Sequence, residues 1–148
     1  MANLVFNIAK GRLGTYCDLA AANDALILVP IETSGLETDA TLKDYTNLAT
    51  LLAGTTNEQT TAGRKTITSA TVTIDNTNDW VDLDIADQVY TAIAASNPIG
   101  AWLICYDPDT TTGTDTTLVP LTKHDLAWTP DGTTFTVQIA TAGFARAA

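Results

Sequence analysis

One histidine, His124, and two cysteines, Cys17 and Cys105, are the side chains of this sequence best suited to acid–base or nucleophilic chemistry. A nucleophile and base need each other within hydrogen-bond reach, and no Ser or Cys motif accompanies His124 in the chain. A lone histidine in an alternating strand is expected to be a surface or hydrogen-bonded residue. The cysteines have neither CxxC nor zinc-ligand spacing, and two are too few for a disulfide framework. Cys105 falls in an apolar run, where a thiol behaves as a small hydrophobe.

Oxygen ligands are more abundant. Asp75-Asn76-Thr77-Asn78-Asp79 alternates them as a calcium loop would, but the sixth position is Trp80 rather than Gly and the twelfth is Ala86 rather than Glu. Asp107, Asp109 and Asp115 form a second acidic group, with Gly113 one place late for the same template. Asp and Asn are also what tight turns require, and turns are the expectation for both stretches. The nine glycines are scattered, so no phosphate-cradling loop is present. The residues therefore predict no catalytic site, no metal site and no cofactor. The chain does not read as an enzyme.

The elements that would position any site follow from composition and pattern. A chain of 148 residues with 45% hydrophobic content buries one core, since a domain of this size hides roughly two thirds of its unfolded surface; residues 1–148 are expected to be a single domain. Thr is about one residue in five, which suits half-buried β surface. The formal charge of −10, from 17 acidic against 7 basic residues, repels a phosphate backbone, so nucleic acid is not an expected partner. Lys10, Arg12 and Lys43 lie in the first third, and Arg64-Lys65 is an adjacent basic pair that reads either as a local contact point or as a solvated strand end. No apolar stretch approaches the roughly 18 to 20 residues of a spanning helix, and no secretory signal opens the chain, so the expectation is folding in cytosol without a membrane.

Ala101-Trp102-Leu103-Ile104-Cys105-Tyr106, bracketed by Pro98 and Pro108, predicts a central strand covered on both faces. Ala25 to Glu32 is a second apolar strand that lies at an edge or ends near Pro30, which has no N–H to give a ladder. One helix is predicted over about 39–53, capped by Thr38 or Asp39, with Leu42, Tyr45, Leu48, Leu51 and Leu52 at helical spacing and Gly54 closing it. Residues 71–85 predict a hairpin with Val72, Ile74, Val81, Leu83 and Ile85 inward, and Trp80, Asp82 and Asp84 on the outer face. Residues 87–95 read as a short helix or irregular bridge, and 117–121 as an edge strand. His124, Leu126 and Trp128 alternate into the Pro130-Asp131-Gly132 turn, from which 133–139 pairs back. Residues 1–14 read as an N-terminal arm or an edge strand, and 140–148 as a C-terminal tail. The sum is a mainly β single-domain β-sandwich or partly open barrel with one short α-helix and extended terminal segments.

The Asn7-Ile8-Ala9-Lys10-Gly11-Arg12 opening, the Ser34-Gly35-Leu36-Glu37 segment with Tyr45 and Leu52, and Leu103-Ile104-Cys105-Tyr106-Asp107 with Pro120-Leu121-Thr122 and His124-Asp125 resemble small virion proteins of tailed bacteriophages. The chain is most similar to the short, acidic, Thr- and Ala-rich head proteins that decorate a capsid. The likeness spans nearly the whole chain and rests on overall pattern. It implies a cement protein made in the host cytoplasm and carried on the virion exterior. Its partner would be the major capsid protein, and its form a homo-oligomer, a trimer by analogy with decoration proteins. Leu4, Phe6, Ile8, Lys10, Arg12 and Trp80 are then the expected partner contacts. Two other readings are a tail or fibre module that binds a host surface through Trp80 and the 107–117 loop, and a calcium- or carbohydrate-binding β-sandwich.

Overall fold

The computed structural model describes residues 3–147; Met1, Ala2 and Ala148, at the ends of the two expected terminal segments, lie outside the described residues. In chain order the elements are β1 (Leu4–Val5), α1 (Leu13–Cys17), β2 (Ala25–Glu32), α2 (Asp39–Leu42), α3 (Leu48–Leu52), β3 (Lys65–Ile67), β4 (Thr71–Asp75), β5 (Trp80–Asp84), β6 (Gln88–Tyr90), β7 (Ile99–Asp107), β8 (Val119–His124), β9 (Phe135–Val137) and β10 (Ala145–Ala147). The chain is mainly β, as its composition predicts.

The main sheet has the order β1-β8-β7-β2-β3, so the run around Trp102 is its middle strand. Alternation along β2 and β7 sends side chains to two separate cores. Leu26, Leu28, Trp102 and Ile104 face one core with Leu83, Tyr90 and Val137, contributed by the smaller sheets β10-β5-β4 and β6-β9, and with Ile85 just after β5. Ala25, Ile27, Val29, Ile31, Leu103 and Cys105 face the other, with Leu42, Leu48 and Leu51 from the short helices and Phe6 from the N-terminal segment. A sheet covered on both sides is what continuous apolar strands require.

Pro30 is accommodated inside the sheet. β3 covers β2 only over Leu26–Leu28, and beyond it the Pro30 carbonyl accepts from the Gln59 N–H while the Glu32 N–H donates to the Asn57 carbonyl. The missing N–H thus faces a loop, not a ladder. β8 likewise lies between β1 and β7 rather than at an edge, because the two residues of β1 cover Thr122 and Lys123.

Three further expectations are corrected. The single helix over 39–53 is two, α2 and α3. The Lys43 carbonyl is taken by the Asn7 N–H, and Asn47 adopts extended dihedrals and caps a new start by accepting from the Thr50 N–H at 2.9 Å. Residues 88–90 form a strand, neither a helix nor an irregular bridge, because 135–137 pairs with them; the expected pairing of 133–139 with 124–128 is not made. Trp128 instead bridges to Ile99 and meets Phe135 by ring stacking at 4.6 Å. Of the two readings of residues 1–14, the described part follows the edge strand: Leu4–Val5 pairs with β8 at the end of the sheet, and Phe6 has no exposure. The C-terminal tail ends in β10, paired with β5 at Ala145↔Leu83 through Ala147↔Val81.

Candidate interaction surface

The expected contact residues divide into two groups. Leu4 and Ile8 are half-buried against the helix-side core and Phe6 is inside it, so these three spend their apolar surface within the domain. Lys10 and Arg12 are exposed; the Lys10 ammonium donates to Asn7 Oδ1 at 2.8 Å. Between and after them, Gly11, Leu13 and Gly14 line a shallow groove whose far wall is Val81, Leu83 and Ala147. Val81 and Ala147 also line a second groove with Ile74, Asp75, Asn76, Asp79 and Trp80 at the hairpin tip. Val81 and Ala147 thus join the groove beside residues 11–14 to the groove that carries Trp80, the first residue of β5.

The hairpin has the predicted strands, in the register Ile74↔Val81 and Asp75↔Trp80. Asp75 fixes its turn by accepting from the Thr77 and Asn78 N–H groups and from Asn78 Nδ2. These bonds, that from the Asn78 side chain first, hold the Asp75 carboxyl below the ordinary range. Asp79 sits at φ 59°, a left-handed position that Asp tolerates in turns. Leu83 and Ile85 face the core as expected. Ile74 does not: it is 66% exposed, because the tip overhangs the point where the core ends. It lies on β4, the outer strand of the small sheet, whose far edge has no ladder partner among the described residues. Trp80 occupies the outer face, and the Arg146 guanidinium from β10 covers its ring at 3.8 Å.

The acidic loop after the central strand is also occupied by its own chain. Asp109 accepts from the Thr111 N–H and from the hydroxyls of Thr111 and Thr112, which lower its carboxyl to about 2. Asp107 accepts from the Asp109 N–H, and a Cβ on Gly113 would collide with the Asp107 carboxylate and the Asp109 carbonyl. Asp115 meets Arg64 in a two-pronged contact, and Arg64 grips Glu58 in another. These carboxylates act as turn and loop fasteners. Among the described residues no group of three or more His, Cys, Asp or Glu is placed to hold a metal ion.

His124 lines a cavity of about 260 Å³ with Trp102, Leu126, Val137, Gln138 and Phe144. Its Nε2 is 2.9 Å from the Thr122 hydroxyl and its ring meets Phe144 edge-on. Burial first, then the Lys123 charge, lowers its pKa, with Asp125 acting the other way. Burial raises both cysteine thiols to about 12, which disfavours the thiolate a nucleophile needs. Two contributors were missed in the sequence: Ile74 as an outward residue, and Arg146 as the partner of Trp80. A charged residue in an otherwise apolar tail was the available signal for the second.

No family model matches the chain, and neither the curated proteins nor the solved structures contain a match to it.

Proposed function

We propose that this chain is a structural protein of a tailed-phage virion, decorating the outer capsid surface through the end of the molecule that carries the hairpin tip and residues 10–14. The observation that carries the reading is Ile74, largely exposed on the outer strand of a small sheet beside two apolar grooves that share Val81 and Ala147. An uncovered strand edge with an apolar side chain at its tip offers main-chain and side-chain contacts together. Lys10 and Arg12 are exposed on either side of Gly11 in the chain, while Asp75 and Asp79 line the groove at the hairpin tip, so the partner surface must offer charge of both signs. The sequence resemblance supplies the partner, the major capsid protein, and the expected symmetric oligomer. Stabilisation is mass action: a protein that binds only the assembled shell shifts the equilibrium against its loss.

The test is co-sedimentation of the purified protein with emptied heads that lack it. Saturable retention at a copy number matched to the shell's symmetry is the expected result. A folded, soluble protein that stays in the supernatant, or that sediments with host cells instead, overturns the reading.

A further inference from the structure

The side chain of Lys123 has no solvent exposure, although a lysine on a strand ordinarily reaches water with its ammonium. Its register explains the confinement. Lys123 lies between Leu103 on β7 and Leu4 on β1, on the sheet face that Leu42 of α2 covers. There its Nζ is 2.8 Å from Asp39 Oδ1, in the first turn of α2, and 2.6 Å from Asp125 Oδ1. An amine with no solvent exposure is thus held against two partly exposed carboxyl groups, one of them from a distant part of the chain.

We propose that Lys123 and Asp39 condense to an intramolecular amide, with Asp125 carrying the proton. Asp125 takes one proton from the Lys123 ammonium, and the free amine attacks Cγ of Asp39, forming the N–C bond. A second proton passes from nitrogen to one Asp39 oxygen, Asp125 returns the first to the same oxygen, and the C–O bond breaks to release water. Asp125 ends as the carboxylate it began as, and no oxidant or co-reactant is needed. Holding the partners in contact replaces a bimolecular step with effective molarities of roughly 10⁵ M or more. Asp39 is 34% exposed, which gives the departing water a path out. Asp125 is assigned the proton because its contact is the shorter and because it stands two residues from Lys123, where a bond would tie the strand only to itself. The Lys123–Asp39 bond instead fastens α2 to β8, in a chain whose two cysteines are free.

The experiment is intact-mass spectrometry of the full, purified protein after denaturation, against Lys123→Arg corrected for the substitution. The wild type is expected to be lighter by one water, and trypsin is expected to release residues 13–43 joined to 66–146. Asp39→Ala and Asp125→Asn are expected to have full mass, the second because a carboxamide does not accept the proton. A wild type of full mass overturns the proposal even if every variant fails to fold. Water loss confined to 66–146 overturns the choice of Asp39, and water loss in a folded Asp125→Asn overturns the role of Asp125.

Discussion

The Arg146 guanidinium lies 3.8 Å from the centre of the Trp80 ring while its Nε and Nη2 donate to Asp82 at 2.5 and 2.8 Å. One side chain of the last strand thereby covers the outer aromatic of the hairpin and pairs with the acid two residues on, which sits opposite it in the register. A residue expected to be an open contact is roofed by its own chain. Arg146→Ala should shift part of the tryptophan emission to longer wavelength and increase its quenching by acrylamide. The same change in a Trp80→Phe background should do neither; equal responses in both backgrounds would place the effect on another tryptophan.

Ile74→Asp separates binding from folding. At 66% exposure the side chain adds little to the core, so the unfolding free energy from urea titration should hold within about 0.5 kcal/mol. Retention on heads should fall tenfold or more if the hairpin tip meets the capsid. Undiminished retention would move the contact elsewhere on the surface.

Phe6 belongs to stability. It is fully buried among Leu42, Leu48, Leu51 and Leu103, and truncating a buried Phe to Ala costs about 3–5 kcal/mol. Removing residues up to Arg12 deletes this side chain, Ala9 and the β1 pairing together, so it should yield an unfolded or aggregated chain, not a trimmed soluble domain. Circular dichroism and denaturant titration of Phe6→Ala and of the truncation check both statements. Lys10→Glu with Arg12→Glu, which leaves the core intact, is the cleaner probe of head binding.

His124 makes stability fall on the mildly acid side. Burial holds its folded pKa below the ordinary value, so below about pH 6.5 the unfolded chain takes up a proton that the folded one resists. Unfolding then binds protons, and stability declines as pH drops toward the folded value. Asp125, Thr122 and Phe144 also face the ring, of which Asp125 moderates the shift. His124→Gln should flatten the denaturation midpoint between pH 7 and 5; an unchanged slope would remove His124 as its source.

Arg64 ties the loop before β3 to the acidic loop by paired bonds to Glu58 and Asp115. The Arg64 hydrogen bond lowers the Asp115 carboxyl, so its contribution is complete above about pH 4 and is lost as pH falls through the folded value. Arg64 is 30% and Asp115 38% exposed, and solvent screening keeps the loss for Arg64→Met to about 1 kcal/mol at pH 7. The variant should also lose part of the wild type's decline below pH 4, measurable by urea titration at each pH.

What the sequence determined by itself were features set by neighbours in the chain. The Trp102 run was too apolar for any place but the middle of the sheet, and strict alternation with a five-residue polar turn made 71–85 a hairpin. Mainly β architecture and an acidic surface followed from composition. Tertiary structure decided whatever depended on distant groups. Leu42 and Leu51 share a stripe that predicts one helix, yet Asn7 takes the Lys43 carbonyl, and the loop carbonyls of Asp115 and Leu118 receive the Ala49 and Leu48 N–H groups. Ile74 alternates correctly and still faces out, because periodicity records which side of a strand a residue takes, not where the core beneath it ends. Lys123 reads as an ordinary strand lysine until β1, β7 and α2 close around it with Asp39; no local pattern encodes a site whose parts meet only when the chain has folded.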